Sequence, residues 1–285
     1  MLSTSSTPLL HSAFYRFVAL ADAPAAADTL RALAQGLRGS VVVAAEGVSG
    51  ALAGLPDEVL AFEAVLQQRD VLGGALLGMA FKHSACTTAP FGRLKVSVKP
   101  EIVALGLPSH GPPGVALAPP DQHDMSHLAP AAWRALLARD DVVLLDNRNH
   151  FEYRLGHFRG ALDPRVHNFR DLVAYVQQHA PAWRAAQRPV AMYCTGGIRC
   201  DKTAPWLRSL GLQVWQLDGG ILNYCQQLDD AGRDWLGECF VFDQRIALDS
   251  TLHETATTAE QVFDAVHPDE AWRLQRARQL DKPVA

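Results

Sequence analysis

Two hydrophobic rhythms run along the chain and divide it. Between residues 13 and 105, short apolar runs alternate with two stretches of helical period. Phe14-Tyr15-Arg16-Phe17-Val18 and Val41-Val42-Val43-Ala44 have the composition of strands. Glu46-Gly47-Val48-Ser49-Gly50 reads as a turn, after which Ala51-Leu52-Ala53 pairs back. A helix is predicted from Pro24 to Gly36, with Leu30, Leu33 and Leu37 on one face, and a second from Pro56 to Gln68, with Val59, Leu60, Phe62, Val65 and Leu66 apolar. Strands near Gly74–Lys82 and Leu94–Lys99 complete a β-α-β-β-α-β order.

From residue 125 the rhythm changes. Ser126 is placed to cap a helix holding Trp133, Leu136 and Leu137, and Val142-Val143-Leu144-Leu145 is a continuous apolar run ending at Asp146. A helix from Phe169 to Gln178 leads to the buried-type strand Val190-Ala191-Met192-Tyr193. Asp201–Leu210 reads as a helix stopped by Gly211, Leu212–Leu217 as a strand, and Asp218-Gly219-Gly220-Ile221 as the turn into a helix with Asn223, Tyr224 and Cys225. Continuous apolar strands alternating with helices belong to parallel sheets covered on both faces. The organisation expected is a flexible tail over 1–12, an α+β domain over 13–105, a Pro/Gly/His/Ala linker over 106–124, an α/β domain over 125–248, and a tail with one helix over 249–285.

Composition narrows the class. In 285 residues, 48% hydrophobic and 20% charged content is ordinary for a globular protein. No apolar run approaches a membrane span, and no basic stretch leads into an apolar core at the N-terminus, so a cytoplasmic protein with no membrane partner is expected. The net charge of −4 carries no global signal for nucleic acid, so any RNA contact must be a local patch. Five cysteines without a C-x-x-C pair argue against a zinc ribbon, an iron–sulfur cluster or a disulfide framework, and no metal site is expected.

The chemistry concentrates at Cys194-Thr195-Gly196-Gly197-Ile198-Arg199-Cys200, between a strand and a helix. The adjacent glycines let the loop curl its N–H groups inward. The helix start adds partial positive charge and Arg199 a full one, a cradle that favours a thiolate at Cys194. Cys200, at the helix start, is a candidate resolving thiol or a packed first-turn cysteine. Asp146 ends a strand, where α/β sheets place their sites. Arg148 and Glu152 have the spacing of a helical-turn ion pair. All three are expected to frame the loop without a chemical role.

Two motifs carry a resemblance. The Cys194–Cys200 loop, with Asp146-x-Arg148, Glu152-Tyr153 and Gly156-His157-Phe158-Arg159-Gly160-Ala161, resembles the rhodanese domain, in which the first loop cysteine carries a persulfide. Together with Gln216-Leu217-Asp218-Gly219-Gly220-Ile221, the loop is similar to that of the rhodanese-containing tRNA uridine hydroxylases. The first half resembles the N-terminal domain of that family in Phe14–Val18, Glu46–Gly50, Phe81-Lys82-His83-Ser84 and Pro90–Val96 running on to Glu101-Ile102-Val103. Gly237–Arg245 is similar to it again, so the resemblance spans residues 13–248. It implies a ferredoxin/acylphosphatase-like domain followed by a rhodanese-like one. It also implies oxygen-dependent 5-hydroxylation of the wobble uridine of tRNA, with molecular oxygen as co-substrate. No cofactor is identifiable from the sequence. The chain departs from the family in lacking cysteines after Cys239 and in having His150, Ser97 and Pro100 where the family has other residues.

Four readings follow: a tRNA hydroxylase using Cys194, a sulfurtransferase passing on a Cys194 persulfide, a phosphatase or arsenate reductase, and a non-catalytic binding module. Four residues separate Cys194 from Arg199 where phosphatase loops have five, and an intact Cys194 and Arg199 argue against a bare binding module. The N-terminal domain favours the hydroxylase. A persulfide is both nucleophile and reductant, and it could add to C6 of uracil or reduce an oxygenated intermediate; the residues leave both open. The partner expected is a tRNA anticodon loop and not DNA; the oligomeric state is not legible. Lys82, Arg93, Lys95 and Lys99 lie in an acid-free stretch and are the candidates for phosphate contact, with Phe81 and Phe91 for stacking; a solvated strand edge accounts for the lysines equally well.

Overall fold

A computed structural model describes residues 8–107 and 126–280. They fall into two compact units, the first reaching Val103 and the second starting at Ala104. Most of the expected linker, from residue 108, lies outside the described residues, as do residues 1–7 of the expected tail.

The first unit runs β1 (Leu9–Phe17), α1 (Ala23–Leu33), β2 (Arg38–Ala44), β3 (Gly47–Gly54), α2 (Pro56–Leu66), β4 (Phe81–Cys86) and β5 (Leu94–Val98). Its sheet has the order β4-β1-β3-β2-β5. Leu9–Ser12, expected in a loose tail, belong to β1 because they pair with Leu52–Gly54 of β3 and His83–Cys86 of β4. Strand alternation sends Phe14, Val41, Val43, Val48 and Leu52 to one face, where Ala27 and Leu30 of α1 and Val59, Phe62 and Leu66 of α2 cover them. Each fully buried leucine here contributes about 1.5–3 kcal/mol.

The strand expected near Gly74–Lys82 begins late. Gly73, Gly74 and Gly78 take φ of +63°, +78° and +71°, which turns the chain repeatedly and lets Leu76 and Met79 plug the core. The strand starts only at Phe81.

The second unit runs β6 (His127–Leu128), α3 (Pro130–Leu137), β7 (Val143–Asp146), α4 (His150–Leu155), β8 (Gly156–Phe158), α5 (Leu172–Ala185), β9 (Val190–Tyr193), α6 (Ile198–Ser209), β10 (Val214–Leu217), α7 (Gly220–Gln227), β11 (Trp235–Gly237), β12 (Cys239–Phe240), β13 (Ala247–Leu248), α8 (Ala259–Val262) and α9 (Pro268–Leu280). Its main sheet, β6-β10-β9-β7, is wholly parallel. β9 is buried at all four positions, as a strand covered on both faces must be. Ser126 does not cap α3: Pro130 starts that helix, and the Ser126 carbonyl accepts from the Gln216 N–H (2.8 Å).

The C-terminal segment holds two helices rather than one, and it packs. Ala259, Val262, Phe263 and Leu274 form a cluster with Phe151 of α4 and Phe240 of β12. Among the described residues, no helix is long and apolar enough to cross a membrane.

Candidate active site

The site forms where β9 meets α6. Cys194 is the first residue past β9 and is fully buried. Gly197 takes φ +101° as the cap of α6 and donates its N–H to the Cys194 Sγ (3.1 Å). The loop is held from behind by α7: the Ile221 N–H donates to the Cys194 carbonyl (3.0 Å) and the Leu222 N–H to that of Thr195 (3.2 Å). Gly220 makes this approach, since a Cβ there would stand 2.5 Å from the Cys194 oxygen and 2.6 Å from that of Thr195.

Burial alone would push the Cys194 thiol up. The hydrogen bond from Cys200, the Arg199 charge and the N–H groups of Cys200 and Arg199 outweigh it and bring the thiol down to about 6. The fully buried Cys200 is pushed well up by burial and by Cys194. Asn147 Nδ2, which spacing did not single out, lies 3.7 Å from the Cys200 Sγ and donates to Thr203 Oγ1 (2.6 Å). Cys225 and Cys239 are pushed to about 12, first of all by burial. Of these four thiols, Cys194 alone is drawn down toward the thiolate.

The framing acids and bases are all buried, but they pair differently from the spacing. Arg148 does not bridge to Glu152. It makes a two-pronged contact with Asp146 (2.8 and 2.6 Å) and donates to the Gly156 carbonyl (2.6 Å). The reason is that α4 starts only at His150, with Asn149 as its cap, so residues 148 and 152 do not share a helical face. Glu152 instead receives both prongs of Arg199 (2.7 and 2.8 Å) and the Thr195 hydroxyl (3.3 Å). Burial acts to raise the Glu152 carboxyl, but Arg199 holds it below the usual carboxylate range. Arg199 is therefore fixed beside Cys194 as a permanent cation. Thr195, Gly196 and Ile198 are half-buried and form the rim.

Two aromatic and basic groups near the loop escaped the sequence reading. Phe242, after β12, lies with its ring centre 5.7 Å from the Arg199 guanidinium. Arg273 of α9 stands over the Phe151 ring at 5.2 Å and donates to the His167 carbonyl (3.1 Å) and Asn168 Oδ1 (2.9 Å). Phe242 falls within the family-like stretch Gly237–Arg245, but no local pattern ties either residue to the loop, because both reach it across long sequence separations.

The basic candidates of the first unit split between its two outer strands. Lys82 is on β4, whereas Lys95 is on β5, Arg93 just before it and Lys99 just after. Register joins them again: Lys82 pairs with Ala13, Ala13 with Ala51, Ala51 with Ser40 and Ser40 with Lys95. This row crosses all five strands on the face opposite α1 and α2, with small residues between two lysines. Tyr15 shares that face, under the Lys82 ammonium at 5.6 Å. Phe81 lies on the helix-covered face, packed edge-on against Phe14 (5.7 Å), and is not a stacking surface. Phe91 stacks on His11 (5.8 Å).

Comparison with known proteins agrees with both halves. Residues 10–102 match the UPF0176 acylphosphatase like domain and residues 129–227 the Rhodanese-like domain. The chain is 42% identical to the tRNA uridine(34) hydroxylase of Bradyrhizobium diazoefficiens over 85% of its own length and 92% of that protein's. It is 43% identical to that of Synechococcus elongatus, over 84% of this chain and 85% of the relative, and 40% identical to that of Nitrobacter winogradskyi, over 90% and 98%. With both domains matched and identity of this order along nearly the whole chain, the protein belongs to the tRNA uridine(34) hydroxylase family.

Proposed function

We infer that this chain is a tRNA-modifying oxidoreductase that hydroxylates uridine 34 at C5 in an oxygen-dependent reaction, and that Cys194 is its reacting group. The observation that carries the role of Cys194 is a buried sulfur that accepts the Gly197 N–H (3.1 Å), in surroundings where Cys200, Arg199 and the loop N–H groups outweigh burial and draw the thiol down to about 6. Such a sulfur, bare or bearing a sulfane sulfur, is a nucleophile toward C6 of uracil and a reductant toward an oxygenated base. Thr195, Gly196, Gly197 and Ile198 shape its surroundings. Asp146 and Arg148 fix the strand ends behind it, and Glu152 keeps Arg199 in place. Molecular oxygen is the co-substrate in this reading. In this reading the protein works in the cytoplasm, alongside its tRNA substrate.

RNA phosphates would lie on the open face of the first sheet, along Lys82 and Lys95 with Arg93 and Lys99 beside them. The small side chains of Ala13, Ala51 and Ser40 supply a flat floor between the charges.

Nucleoside mass spectrometry of tRNA from cells with and without the gene tests the reaction. The 5-hydroxylated wobble uridine should disappear with the gene and return with the wild-type chain, but not with Cys194→Ser. Retained hydroxylation in the Cys194→Ser strain would remove the role assigned to that thiol. Unchanged tRNA with lost persulfide transfer would leave sulfur transfer as the activity.

A further inference from the structure

Phe242 is presented to solvent by a turn that has no evident need to present it. The turn is closed by the Val241 N–H donating to the Ile246 carbonyl (2.9 Å). It is braced by Asp243, which accepts from the Arg245 Nε (2.9 Å) and Nη2 (2.7 Å), and both of those side chains are buried. Ile246 sits at φ +62°, a conformation that a β-branched residue adopts only under constraint. A buried ion pair and a strained residue both carry a cost, and here they fix one tight turn.

On that base the Phe242 side chain is 61% exposed. Its ring meets Phe240 edge-on at 4.9 Å, and the Arg199 guanidinium lies 5.7 Å from its centre. Single exposed apolar side chains are ordinary, and Leu60 and Val266 are examples. Phe242 differs from them in its neighbour. Arg199 favours the Cys194 thiolate and lies over one face of the ring, so a largely exposed aromatic side chain stands one side chain away from the reacting sulfur.

We propose that Phe242 is the stacking platform for the pyrimidine ring of the target uridine. This deepens the hydroxylase reading and rests on it. A base that must meet a buried sulfur has to leave the stack of the anticodon loop and lose its neighbours there. An aromatic ring beside the entrance replaces that lost stacking. The face suits an uncharged base, because the protein itself supplies the anions that Arg199 faces, the Glu152 carboxylate and the Cys194 thiolate. The stiff turn keeps the ring in place before the base arrives, so little ordering is needed on binding.

The test uses the full chain with a short anticodon stem-loop bearing uridine at position 34, and the same stem-loop abasic at that position. Phe242→Ala and Phe242→Leu should each lower kcat/KM for the uridine stem-loop about 5- to 150-fold, the range that loss of one stacked base produces. Phe242→Tyr, which keeps the ring, should stay near wild type. Affinity for the abasic stem-loop should be the same in all four proteins, and so should the titration of the Cys194 thiolate near pH 6. Wild-type kinetics in Phe242→Leu would overturn the proposal, because bulk rather than a planar face would then suffice. Equal weakening of the abasic and uridine stem-loops in Phe242→Ala would also overturn it, and would assign the ring to another nucleotide or to the fold. A wild-type chain that never hydroxylates the stem-loop or full tRNA would instead sink the hydroxylase reading beneath it.

Discussion

A thiol as deeply buried as that of Cys194 should hold its proton, and its neighbours reverse that outcome. Hydrogen bonding from Cys200, the Arg199 charge and two backbone N–H groups together exceed the burial penalty. Thiolate absorbance should therefore grow in as pH rises through about 6, be mostly developed at neutral pH, and be missing from Cys194→Ser. Arg199→Met removes the charge that favours the deprotonated form, so the same titration should move upward. An unmoved midpoint would assign the effect to the backbone and Cys200 alone. Cys200 has a test of its own. A sulfenic acid formed at Cys194 by mild peroxide should condense with Cys200, releasing water and leaving a disulfide that non-reducing peptide mass spectrometry detects. A Cys194 sulfinate with Cys200 untouched would make Cys200 a packing residue only. At this scale the cysteine, the glycine pair and Arg199 are readable directly, since they are contiguous and each has a distinct chemistry. The partner of Arg199 is not. Glu152 lies 47 positions away, and local spacing offered Arg148 instead.

Between elements, the loop depends on α7 as much as on its own glycines. Gly220 sits at φ +71° with no room for a methyl group between it and the carbonyls of Cys194 and Thr195. Gly220→Ala should cost roughly 1–3 kcal/mol from the backbone conformation alone. It should also push the loop off its hydrogen bonds and raise the Cys194 midpoint. Thermal unfolding and the thiolate titration measure the two effects, and a Tm and midpoint equal to wild type would show that α7 does not hold the loop. The elements that sequence reading placed well are those with a strong single rhythm, such as β7, β9 and β10. It failed where a local signal was overruled. Ala75-Leu76-Leu77 has strand composition, yet the left-handed glycines around it make turns. α5 was expected to stop near Gln178 but runs on to Ala185 through Pro181. Val176, Ala180 and Trp183 are buried along one face, and that packing outweighs the proline.

For the molecule as a whole, charge is arranged by register rather than by amount. The two halves are visible in the sequence as a change of rhythm. The row that joins Lys82 to Lys95 is not, because strands that are neighbours in sequence lie at opposite margins of the sheet. Reversing Lys82, Arg93 and Lys95 to Glu should weaken tRNA binding and flatten its dependence on salt, with the Cys194 titration untouched. A triple variant with wild-type affinity and salt slope would move the RNA contact elsewhere. The same two lysines have a second consequence, in how copies of the protein behave toward each other. β4 and β5 are the outermost strands, and an outer strand is where a foreign strand could add and extend the sheet without limit. A lysine on each is a standing deterrent to that growth, since every added copy would have to bury or crowd an ammonium group. Replacing both with valine should thus make the protein scatter light on concentration or warming, while the glutamate versions, equally unable to hold RNA, stay clear.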